Sequence, residues 1–120
     1  MKIKELIWVG STKKDLKKLP EEVQKVFGYG LYLAQIGSIH SNAEILQGFK
    51  GAGVIEIKES DQAGTYRAVY TVKIEDIVFV LHVFQKKSKQ GIKTPQPDIN
   101  LINDRFQYAQ EISKERSRKK

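Results

Sequence analysis

The chain opens on a short, partly β-branched apolar run, residues 3–9, which stops at Gly10-Ser11 and predicts a first strand. Ser11 or Thr12 can cap a short helix behind it. Asp15 suits the positive end of that helix, and Leu16 and Leu19 face inward from an exterior of Lys13, Lys14, Lys17 and Lys18. Pro20 fits the first turn of a second helix, in which Val23, Val26, Phe27, Gly30, Leu33 and Ala34 recur at helical spacing until Gly37. Two consecutive helices predict a hairpin. Gly28 and Gly30 each cost about 1 kcal/mol relative to alanine inside a helix, which points to close packing against a neighbour as their reason.

Residues 38–53 hold Gly48, Gly51 and Gly53 without a sustained period and read as a long loop. Three strands follow, at 54–60, 66–74 and 77–85, the last being the most apolar run in the chain. Only Glu75-Asp76 separates the last two, so they form a tight hairpin, although the usual glycine of a primed turn is missing. Residues 86–93 carry four lysines and no acid and read as an exposed loop that Pro95 and Pro97 end. From Asp98 onward, Ile99, Ile102, Phe106, Ala109 and Ile112 return at helical spacing, which predicts a C-terminal helix and a frayed basic tail at 116–120. No internal repeat or linker interrupts the chain, and 1–120 reads as one domain.

If Ile74 sits opposite Ile77, the faces of the last hairpin can be assigned. Tyr66, Ala68, Tyr70, Val72, Ile74, Ile77, Phe79, Leu81 and Val83 then form an apolar floor for the helical hairpin. Arg67, Val69, Val78, Val80, His82, Phe84 and Lys86 form a mixed face, with Arg67 across from Phe84 and Val69 across from His82. The valines on that face call for cover by the C-terminal helix or by a partner.

Composition narrows the function. A 13.7 kDa chain of 120 residues leaves no room for a two-domain enzyme, and it buries roughly 65% of its extended surface on folding. Twenty-one Lys and Arg against fourteen Asp and Glu give a net charge of +7 and a pI near 9.6, which favours phosphate-bearing partners. The absence of cysteine excludes disulfides and thiolate chemistry and makes the cytoplasm the default compartment. His40 and His82 are the only histidines, too few for a multi-histidine metal site. The first apolar stretch is too short for a signal-peptide core or a membrane span.

Arg67, His82 and Lys86 gather at one end of the mixed face beside the lysine loop. Arginine offers a planar fork to phosphate oxygens, lysine a mobile charge, and Phe84 or Tyr66 a surface on which a base can stack. The plain alternatives are a solvated arginine, a packed histidine and a solvated loop. The glycines at 48–53 lack the GK[ST] ending and spacing of a phosphate-binding P-loop. The carboxylate pairs Glu21-Glu22, Glu56-Glu59 and Glu75-Asp76 have ordinary structural explanations, and none is assigned catalysis.

The stretch GAGVIEIKES…TYRAVYTVKIEDIVFVLHVFQKKSKQGIKTP, followed by DINLI, resembles the phage-derived branch of the RelE/HigB toxin family. The order of the preceding elements agrees, so the likeness spans nearly the whole chain. It implies a RelE-like α+β fold: a mostly antiparallel four-stranded sheet with an N-terminal helical hairpin on one face and a C-terminal helix. It also implies the toxin of a type II toxin–antitoxin pair, which cleaves translated mRNA in the ribosomal decoding site without a metal or other cofactor. Its silencing partner would be a cognate antitoxin, often a helix-turn-helix DNA-binding protein. The chemistry implied is attack of a ribose 2′-oxygen on the neighbouring phosphate, for which the protein bends RNA, neutralises charge and moves protons.

On this likeness Arg67 matches the family's sheet arginine and would bind the scissile phosphate, while Lys86 and Lys87 would stabilise charge or protonate the leaving oxygen. His82 is the alternative proton handler. Lys58, Lys50, Lys89 and Lys93 would contact RNA or ribosome, with Tyr66 and Phe84 as stacking candidates. The segment FQKKSKQGIKTP lacks the aromatic residue that some relatives place after the last strand. Rival readings are a toxin of the same fold that poisons DNA gyrase, a non-catalytic nucleic-acid-binding module, and, last, a peripheral membrane protein.

Overall fold

The computed structural model describes residues 2–49, 53–86 and 94–118. Its elements in chain order are β1 (Leu6–Trp8), α1 (Thr12–Lys17), α2 (Glu21–Gln35), β2 (Ala43–Ile45), β3 (Val54–Asp61), β4 (Gly64–Ile74), β5 (Ile77–Lys86) and α3 (Gln96–Arg118). The fold is α+β, and the sheet has five strands in the order β1-β5-β4-β3-β2. The sheet is mixed rather than four-stranded: β1 runs parallel to β5, and the other pairings are antiparallel. The additional strand lies inside the expected loop, where Ala43 pairs with Ile57 and Ile45 with Ile55. Three residues are too few to show a period of two.

The two N-terminal helices are unequal and do not form the expected hairpin. α1 has six residues and packs at β5, whereas the fifteen-residue α2 lies across the sheet. Val23, Phe27, Leu31 and Ala34 of α2 pack on Ile57, Ala68, Tyr70 and Val80. Gly30 permits this approach, because a Cβ there would stand 2.6 Å from the Ile57 Cδ1. α3 covers the opposite face, placing Ile102 and Ala109 against Val69, Phe79 and Leu81. α3 extends to Arg118, so most of the expected frayed tail is helical; the last two residues lie outside the described part.

Register at the open end of the last hairpin matches the sequence reading: Tyr66 pairs with Gln85, Arg67 with Phe84 and Val69 with His82. Beyond that point Tyr70 pairs with Val80, so β5 inserts one extra residue, Leu81. A bulge moves the following side chains to the other face. The expected faces are therefore inverted past it. Val78 and Val80 lie under α2, while Phe79, Leu81 and Ile77 lie under α3. A second irregularity between Thr71 and Ile74 moves Ile74 to the α3 side as well.

The hairpin turns through Glu75 (φ 54°) and Asp76 (φ 56°). Positive φ at both central positions is the type I′ turn that matches strand twist, formed here without glycine.

Candidate functional site

Alternation along the three central strands places Glu56 and Lys58 of β3, Arg67 and Val69 of β4, and His82, Phe84 and Lys86 of β5 on the α3 side. Cross-strand pairing aligns them in rows: Lys58 with Arg67 and Phe84, then Glu56 with Val69 and His82. Five of the residues expected from sequence, Lys58, Arg67, His82, Phe84 and Lys86, are thus brought to one face. Tyr66 is not among them. Its ring is buried on the α2 side, and its hydroxyl donates to Asp61 Oδ2 at 3.1 Å. Burial, reinforced by the Asp61 carboxylate, pushes this phenol above its ordinary value. No base can stack there. Lys50, Lys87, Lys89 and Lys93 lie outside the described residues.

At the centre of the face Arg67 is buried rather than half-exposed. Its Nη1 donates to Glu56 Oε1 at 2.7 Å, and both side chains are withdrawn from solvent, with exposures of 3% and 2%. Thr94, just before α3, donates from Oγ1 to Glu56 Oε2 at 2.9 Å. Lys58 Nζ stands 3.8 Å from Glu56 Oε1 and also pairs with Glu44 on the edge strand. That ammonium holds the exposed Glu44 carboxyl below its ordinary value. Three cationic or hydroxyl donors therefore converge on one buried carboxylate. Glu56 balances the Arg67 charge in a place where an unpaired ion would be costly.

One row away, His82 Nε2 lies 2.7 Å from Asp98 Oδ1 in the first turn of α3, and its ring stacks on Phe84 at 4.3 Å and 15°. Burial pulls the imidazole below its ordinary value, against the opposing pull of Asp98. The contact with Asp98 ties the sheet to α3. Nearby, Arg105 of α3 donates from Nη1 to the carbonyl oxygen of Leu81 at 3.0 Å, satisfying the residue that the bulge inserts. Beyond Lys58 an open groove continues past Ser41, Asn42 and Ser60.

Sequence reading overlooked Thr94 and Arg105, and it named Glu56 only as half of a carboxylate pair with an ordinary structural explanation. The register supplied a signal for Glu56: two residues before Lys58 on an alternating strand, it had to share the arginine's face. Thr94 and Arg105 act through contacts 38 and 24 residues away along the chain, which no local spacing marks.

Chemically, the face offers cationic charge, a carboxylate and a stacked aromatic pair. Among the described residues no group of three His, Cys, Asp or Glu is placed to hold a metal ion. No described helix is long and apolar enough to cross a membrane.

Residues 14–107 match the family described as Phage derived protein Gp49-like (DUF891), and the chain belongs to that family. No curated protein matches the chain.

Proposed function

We propose that the protein is a RelE/HigB-type toxin of a type II toxin–antitoxin pair, acting as an endoribonuclease on mRNA engaged by the ribosome. The observation that carries this reading is the gathering of Lys58, Arg67 and Lys86 on one sheet face of a basic chain from the Gp49-like family. In the reaction the ribose 2′-oxygen attacks the adjacent phosphorus, the bond from phosphorus to the 5′-oxygen breaks, and a cyclic phosphate and a 5′-hydroxyl result. The 2′-hydroxyl gives up a proton and the leaving oxygen takes one, so no redox partner or cofactor enters.

In this reading Lys58 and Lys86 meet the RNA backbone at the rim. Arg67, oriented by Glu56, supplies positive charge from beneath. Lys86 and Lys87 are the proposed proton donors to the leaving oxygen, and His82 holds α3 in place. The proposed cellular partners are the ribosomal decoding site and a cognate antitoxin.

The burial of Arg67 favours one second reading, a nucleic-acid-binding module in which the Arg67–Glu56 pair is structural. Inducible expression in bacteria separates the two. Wild type is compared with Lys58→Ala and Lys86→Ala, which leave the buried pair intact, while growth is followed and the 5′ ends of cellular mRNA are mapped. Growth arrest with new cleavages inside translated messages, lost in the lysine variants, supports the nuclease. Arrest without new ends moves the target elsewhere, with gyrase next to test. Absence of arrest favours the binding module.

A further inference from the structure

α1 and its C-cap carry a ridge of charge that the fold does not answer. Lys13, Lys14, Lys17 and Lys18 are all exposed and stand against Asp15 alone, a net charge of +3 out of the +7 of the whole chain. Among the described residues none of the four ammonium groups is in an ion pair, whereas Lys4, Lys25, Lys58, Lys114 and Arg116 each have a carboxylate. Asp15 itself is engaged by Ser11 Oγ, which donates to its Oδ2 at 2.7 Å.

Local structure accounts for only part of the ridge. Lys14 and Lys17 in the last turn suit the negative end of the helix, but Lys13 stands at its positive end, where a cation is unfavourable. Lys13 with Lys17 and Lys14 with Lys18 are like charges four residues apart, and Lys14 with Lys17 three apart, on a helix of six residues. Each pair costs that short helix stability, and an anion laid along the ridge relieves all of them at once.

The ridge lies next to the candidate site but apart from it. The Val9 N–H at the end of β1 donates to the Val80 carbonyl at 3.0 Å, and Arg105 joins Ser11 to the Leu81 carbonyl, so α1 starts beside β5. This is the other end of the sheet from β2 and the groove beyond Lys58. Leu16 and Leu19 turn inward onto the α2-side core, which leaves lysine alone on the outer side.

That composition selects the occupant. α1 has no aromatic side chain on which an unpaired base could stack, as single-strand sites provide. It exposes no apolar side chain to enter a bilayer. What remains is point charge on an exposed helix, which suits the regularly spaced phosphates of a nucleic-acid duplex.

We infer that α1 is a docking ridge for the sugar-phosphate backbone of double-helical RNA, held without reading its bases. The choice of RNA rests on the nuclease reading above; the unanswered lysines do not. The contact leaves the Arg67 face free for a single strand, so the two surfaces engage different parts of a folded RNA.

Fluorescence anisotropy of an RNA duplex of about 16 base pairs with the full chain, from about 50 to about 300 mM salt, reads both affinity and its salt dependence. Wild type binds, and binding falls steeply as salt rises. The double variant Lys13→Gln with Lys14→Gln lowers the log-log salt slope by about 2 and weakens binding by roughly tenfold or more near 0.1 M salt. It breaks every like-charge pair on the helix and so melts no lower than wild type by circular dichroism. Lys25→Gln with Lys114→Gln removes the same charge from α2 and α3 and changes the slope by less than about half a unit. Equal losses in the two double variants assign binding to net charge and overturn the inference, as does a wild type that binds no duplex. Tighter binding to single-stranded RNA, to a DNA duplex or to phosphatidylserine vesicles overturns the choice of occupant. The assay holds no ribosome and reads no cleavage. A chain that binds through the ridge yet yields no new mRNA ends in cells therefore refutes the nuclease reading alone, and new ends from a chain whose duplex binding ignores Lys13 and Lys14 refute the ridge alone.

Discussion

Arg67 and Glu56 lie on neighbouring strands one row apart and meet at 2.7 Å in the protein interior, beneath the face that carries Lys58 and Lys86. The pair makes that face less basic than its sequence, because the central cation is already answered. Breaking it by removing one partner leaves a buried, uncompensated charge. Glu56→Ala is therefore expected to cost about 3–5 kcal/mol in urea unfolding. A double variant, Glu56→Gln with Arg67→Met, recovers most of that loss because neither charge remains. If the double variant loses as much as Glu56→Ala, the pair is not the source of the cost.

His82 gives the fold a pH dependence whose sign follows from its burial. The folded-state pKa lies below the unfolded value of about 6.5, so the stability tied to the neutral ring is present above that value. It is lost as pH falls through about 6.5 toward the depressed folded value, where the unfolded chain binds the proton first. The urea midpoint is expected to drop between about pH 7 and pH 5. His82→Gln should flatten that slope, with a lower but more even stability. An unchanged slope in the variant would assign the dependence to other groups.

Much of this architecture was legible because hydrophobic periodicity is local. The long α2, the three strands β3 to β5 and the amphipathic α3 announce themselves through residues such as Phe27, Tyr70 and Ile102. Two of the departures have plain physical causes. β2 exists only by pairing with β3, and three residues carry no pattern of their own. The bulge at Leu81 inverted the faces beyond it, since both faces of β5 are apolar and alternation cannot fix their sense. Arg67, His82 and Lys86 were gathered correctly because they lie past both irregularities, whose one-residue shifts cancel, so that Arg67 meets Phe84 and Val69 meets His82 as counted from the turn. What the strand pattern did not disclose was the burial of Arg67 and the reach of Thr94 to Glu56.

The bulge also makes Arg105 a structural residue. Its Nη1 bonds the Leu81 carbonyl at 3.0 Å, and its Nη2 reaches Ser11 Oγ at 3.3 Å, joining α3 to the start of α1. Arg105→Ala removes a charged donor from a buried carbonyl and should destabilise the fold by about 1–3 kcal/mol. Arg105→Lys should rescue only in part, because one ammonium cannot span both acceptors. Thermal unfolding of the two variants distinguishes a forked contact from simple surface charge, for which both would fall within about 0.5 kcal/mol of wild type.

The turn between β4 and β5 stores strain that can be released. Glu75 and Asp76 both adopt the left-handed region, which costs roughly 1–2 kcal/mol per ordinary residue and little for asparagine or glycine. Their side chains contribute little in return: the Asp76 carboxylate, 78% exposed, only approaches Lys4 Nζ at 3.6 Å. Replacing the pair by Glu75→Asn and Asp76→Gly should raise stability by about 1 kcal/mol or more, and a domain of this size should then melt several degrees higher. The gain comes from the turn alone, so the lysine variants of the opposite end should add to it without coupling. A lower melting temperature in the double turn variant would mean that the acidic side chains hold the hairpin in a way their distances do not show.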